Sequence, residues 1–76
     1  MFLLGDHRMQ EISNMVTESW NQNHEGRILA PWPGTKLNLR LYKEAAEWLS
    51  MNLEELLQWR NQTIQRMEQE NKMRLQ

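Results

Sequence analysis

Near the middle of the chain stands Pro31-Trp32-Pro33-Gly34, and this tetrapeptide constrains the fold more than any other stretch. Two prolines remove two backbone donors and fix φ, so no helix passes through them. The Pro-Gly pair favours a tight turn. Residues 27–38 therefore form an irregular loop within one small domain, residues 1–76, below the usual single-domain size of about 100 to 150 residues.

Helical spacing flanks this loop on both sides. Met9, Ile12, Val16 and Trp20 recur at helical intervals, with Met15 widening the stripe, which predicts helix 1 over about 7–22. Asp6 is placed to cap its start, and Gly26 to end it in a left-handed conformation. Tyr42, Ala45, Ala46 and Leu49 form the next apolar face and predict helix 2 over about 39–49. Asn52 followed by Glu55 has capping-box spacing, and Met51 and Leu56 are placed for a hydrophobic staple. Helix 3 is predicted over about 53–74, because neither Gly nor Pro interrupts the chain after Met51.

The expected class is all-α, with three helices. Two readings of the loop stay open. Lys36-Leu37-Asn38-Leu39-Arg40-Leu41 alternates, so it fits a minimal β-hairpin near 27–41, paired with Arg27-Ile28-Leu29-Ala30. It equally fits a linker pinned by its leucines, since an isolated hairpin needs a helix to lean on.

Composition removes several functions. The chain contains no cysteine, hence no disulfide framework, thiolate zinc site or cysteine nucleophile, which suits a reducing cytoplasm. No apolar run approaches the roughly 18 residues of a membrane span. Met1-Phe2-Leu3-Leu4 is too short for a signal-peptide core. Ten acidic residues face nine basic ones, a net charge of −1, where a protein that blankets nucleic acid would carry a basic excess. His7 and Glu11 lie four apart beside Asp6, but His24 is distant, so no metal or cofactor is expected. The serines and threonines have no paired base in view, and Gly5, Gly26 and Gly34 are isolated, so no phosphate-cradling loop is present. The expectation is a non-enzymatic protein.

Residues 42–61, Tyr-Lys-Glu-Ala-Ala-Glu-Trp-Leu-Ser-Met-Asn-Leu-Glu-Glu-Leu-Leu-Gln-Trp-Arg-Asn, carry a further pattern. Ala46 is small, as a close approach of two crossing helices would require. Ala45, Leu49, Met51, Leu56 and Trp59 are apolar on both sides of the angle. This segment resembles the helix-turn-helix unit of bacterial and phage regulators, and is most similar to excisionase-like and MerR-like proteins. Ser50 stands where that turn usually begins with Gly. The resemblance implies a helix 3 whose N-terminal side chains enter the DNA major groove. Asn52, Leu53, Glu54, Gln58 and Asn61 would then face bases, while Lys43, Arg60 and Arg66 would meet phosphates.

Charge placement argues against that use. Glu54 and Glu55 suit the helix dipole but repel approaching phosphates, and Glu44 and Glu47 add two more carboxylates on helix 2. Leu53 and Leu57 offer apolar surface rather than hydrogen-bonding edges. Trp20 and Trp59 are expected in the core, Trp32 and Trp48 at the surface, where rigid tryptophans serve as interface anchors. The favoured expectation is a small regulatory or inhibitory protein of phage or plasmid type. It would bind a larger protein or nucleoprotein through Trp32, Trp48, Leu53, Glu54 and Leu57, its acids steering it to a basic surface. The alternative is a sequence-specific DNA-binding regulator that uses Lys43, Asn52, Gln58, Arg60, Asn61 and Arg66. In it the long C-terminal helix, which carries Leu57, Arg60, Ile64, Met67, Asn71 and Arg74 in a weak heptad seam, would make a homodimer.

Overall fold

Three helices account for 69% of the described residues. The computed structural model describes residues 3–74, and among them there is no β-strand. Helix α1 consists of Asp6–Met15, a π-helical turn Val16–Trp20 and a last α turn Asn21–Asn23, without a break in helical dihedrals at the joints. Helix α2 spans Leu39–Trp48 and helix α3 Leu53–Arg74. At ~1.5 Å per residue α3 is about 33 Å long, and it sets the longest of the principal extents, 40 × 27 × 21 Å.

The ends of α1 differ from the sequence expectation. Gly5, not Asp6, is the N-cap, and it makes no side-chain cap bond. Asp6 is the first helical residue, where its charge still faces the positive end of the helix dipole. Gly26 does not adopt a positive φ; α1 ends at His24, whose φ is −135°. Within the π turn the Asn21 amide bonds back to the Val16 carbonyl, five residues earlier. Such a turn takes more residues per revolution than an α turn. It keeps Val16 and Trp20, both buried, in line over the core.

The loop is irregular rather than a hairpin. The Leu29 amide, which a strand pair would use, donates instead to the Asn21 side-chain oxygen at 2.9 Å. Asn38 leaves the alternating stretch to become the N-cap of α2, accepting from the Leu41 amide at 3.1 Å. Leu37 and Leu39, alternate members of that stretch, are both exposed. Trp32-Pro33-Gly34-Thr35 forms a type II turn: the Thr35 amide donates to the Trp32 carbonyl at 3.1 Å, and Gly34 takes the φ of 85° that this turn requires.

Between α2 and α3 the chain reverses through a Schellman motif. The Met51 amide donates to the Ala46 carbonyl at 2.9 Å, and the Ser50 amide to the Glu47 carbonyl at 3.1 Å. Ser50 has a φ of 55°, a left-handed conformation that glycine adopts without cost. Asn52 then caps α3, accepting from the Glu54 amide at 2.8 Å. Glu55 does not complete a capping box. Its carboxylate is taken by Arg8 of α1, with Nε donating at 2.8 Å and Nη2 at 2.6 Å.

One core joins the three helices. Met9, Ile12, Val16 and Trp20 of α1 meet Tyr42, Ala45 and Ala46 of α2 and Leu56 and Trp59 of α3, with Leu4 and Leu29 closing the ends. Each large side chain so buried contributes about 1.5–3 kcal/mol relative to exposure. Polar ties cross the same junction. The Trp59 indole donates to Ser13 Oγ at 3.0 Å. The Gln62 amide holds both backbone groups of Leu4, at 2.7 and 3.1 Å.

Candidate interaction surface

Trp48 sits on an aromatic cluster built from two helices. Trp20, fully buried at the end of α1, donates its indole N–H to the Arg27 carbonyl at 2.7 Å. The His24 ring stacks on Trp20 with centroids 3.7 Å apart. Trp48, at the end of α2, meets both rings edge-on, at 6.1 Å from Trp20 and 5.1 Å from His24. An ion pair between Arg27 and Glu44, at 2.6 Å, closes the loop onto α2 beside them, and the Arg27 guanidinium lies 5.9 Å from the Trp20 ring centroid. One edge of Trp48 is thus fixed, while 48% of the residue faces solvent.

Trp32 is held through its backbone instead. It opens the type II turn and is 54% exposed. Arg60 of α3 clamps the turn from below, donating to the Thr35 carbonyl at 3.0 Å. The Arg60 guanidinium also lies 5.9 Å from the Tyr42 ring centroid. Burial pushes the Tyr42 hydroxyl above its ordinary titration range. Ile28, Leu37 and Leu39 add exposed apolar surface along the same loop and at the start of α2. Sequence reasoning placed Ile28 in a candidate strand rather than at the surface, and passed over the stacking of His24 on Trp20, which joins residues four apart at the end of a helix.

The opening of α3 carries the remaining expected contacts, and the structure separates them. Glu54 is exposed. Leu53 and Leu57 are half-buried and packed against the core edge. Lys43, Asn52 and Asn61 are exposed, although the side-chain oxygen of Asn52 is engaged as the cap. Arg66 is exposed and stands 3.3 Å from Asp6. Two of the residues expected to contact DNA are corrected. Arg60 and Gln58 are each only 8% exposed. The Arg60 guanidinium is committed to Thr35 and Tyr42, and the Gln58 amide donates to Gln62 at 3.0 Å. Neither side chain is available to a phosphate or a base edge.

Several other charges are also committed within the fold. Arg8 holds Glu55 as a bidentate pair and depresses its titration below the ordinary carboxylate range; the same hydrogen bond raises Arg8. His7 lies 3.5 Å from Glu11, but no group of three or more His, Cys, Asp or Glu gathers to hold a metal among the described residues. No helix there is long and apolar enough to cross a membrane.

Comparison with known proteins returns no relative: no family model, no curated protein and no solved structure matches the chain.

Proposed function

We propose that this chain is a non-enzymatic regulatory or inhibitory protein that binds a larger protein or nucleoprotein through Trp32 and Trp48. Small phage and plasmid regulators, whose helix-turn-helix segment residues 42–61 resemble, offer the nearest style of protein, and a cytoplasmic setting belongs to the same proposal. One observation carries it. Two tryptophans are each about half exposed, one packed edge-on in an aromatic cluster and the other carried on a turn whose backbone is clamped. A partner can cover such side chains at little cost in conformational freedom. The exposed carboxylates of Glu47 and Glu54 steer the chain towards a basic surface.

A second reading, a sequence-specific DNA-binding regulator, draws support from the α2–turn–α3 arrangement and from exposed Lys43, Asn52 and Asn61. The burial of Arg60 and Gln58 leaves it short of contacts. The deciding experiment takes the partner retained from a nuclease-treated extract of the native host. Trp32→Ala and Trp48→Ala should each lower its affinity about thirtyfold, the size of an interface hot spot. Unchanged affinity in both variants, with helicity intact, would reject the tryptophan surface.

A further inference from the structure

α1 and α2 occupy only part of the circumference of α3. Glu55 and Trp59 face α1 through Arg8 and Ser13, Gln62 faces Leu4 just before it, and Arg60 faces the loop. Glu54, Asn61, Gln65, Glu68 and Lys72, at intervals of seven, four, three and four, fall on the opposite side. All five are exposed. Beside them runs an open groove of about 400 Å³ lined by Leu3, Gln58, Asn61, Ile64, Gln65 and Glu68, in which Leu3 is 79% exposed. A second groove of about 210 Å³ continues it towards Lys72.

The charges on this face are Glu54 at the start and Glu68 followed by Lys72 near the end, and among the described residues none of the three enters an ion pair. Reversal about the middle sets Glu54 against Lys72 and leaves Glu68 at the level of Gln58, an amide, whereas direct alignment sets each charge against its like. We propose that the free face of α3 binds a second copy of the chain, antiparallel, about a two-fold axis at the level of Thr63. In that register Glu54 of each copy meets Lys72 of the other. Asn61 meets Gln65, an amide pair able to exchange hydrogen bonds. The symmetry makes each contact twice. Leu57, Ile64 and Leu3 flank the polar seam and supply the apolar area, while the charged ends fix direction and register. A parallel pair would set Glu54 against Glu54 and Lys72 against Lys72. This inference does not rest on the tryptophans, which lie on α2 and the loop; Glu54 is shared with the proposed steering, and sedimentation of the chain alone reads the dimer without that partner.

Sedimentation of the full chain over a range of concentrations tests it, with circular dichroism confirming that each variant stays helical. The wild type should associate to a dimer that weakens as salt rises. Glu54→Lys should weaken the dimer about tenfold, by replacing two attractions with two repulsions. Adding Lys72→Glu to that variant should restore it. A monomer at every concentration overturns the proposal. So does a Glu54→Lys variant that associates as well as or better than the wild type, which would mean a parallel pair or another surface. A double variant that stays as weak as Glu54→Lys also overturns it.

Discussion

From Leu53 to Ile64, helix α3 is the central support of the molecule; from Gln65 to Lys72, the same helix is almost wholly exposed. The first stretch buries Leu56, Gln58, Trp59 and Arg60 and donates bonds to α1 and the loop. In the second, only Met67 is partly covered among residues 65–72. Both stretches are rich in amides and good helix formers, so intrinsic propensity does not distinguish them. What differs is tertiary cover, the main source of helix stability in proteins. The contrast also bears on function. In the resembling regulators the opening of this helix would be the reading surface, whereas here Arg60 and Gln58 spend their polar groups on holding the fold.

The largest effect should come from paired truncations, one in each stretch. Trp59→Ala removes a core indole and its bond to Ser13, and should cost about 3–5 kcal/mol, close to the whole stability of a domain this small. Met67→Ala should cost under about 1 kcal/mol, since its site is only half covered. Denaturant unfolding of the two variants measures the difference, and similar losses would erase the contrast.

A smaller effect should sharpen it through pH. Arg8 depresses Glu55, so the ionised carboxylate contributes stability at and above the ordinary carboxylate range. That stability is lost as pH falls through the lowered folded value. Glu55→Gln should therefore be less stable than wild type at neutral pH, by about 1 kcal/mol for a partly exposed bidentate pair. The gap should close as the solution is acidified well below that range. A gap that persists in acid would show that the carboxylate's charge is not the source of the effect.

The sequence made the helical class legible because local signals agree: the Pro31-to-Gly34 break, the Asn52 cap and the spacing of Met9, Ile12, Val16 and Trp20 each mark a feature of the structure. What escaped depends on partners distant in sequence. Glu55 has the spacing of a capping box, but Arg8, 47 residues away, takes its carboxylate. Arg60 lies on the helix where a phosphate contact would sit, but Thr35, 25 residues away, claims its guanidinium. The alternation over residues 36–41 suggested a strand, and Asn38 ended it by capping α2. Of the expected contact residues, Trp32, Trp48 and Glu54 are exposed because nothing in the fold needs them covered. The cluster that fixes Trp48 was hidden, since it joins the end of α1 to the end of α2 across the loop.

The most direct test of the claim that α3 opens as a structural support rather than a DNA reader is a titration of a random-sequence duplex pool with the chain, from low to high salt. Weak binding at low salt, unaffected by Lys43→Ala or Asn61→Ala, is the expected result. Tight binding with a steep salt dependence, lost in those variants, would contradict it and restore the DNA-reading function.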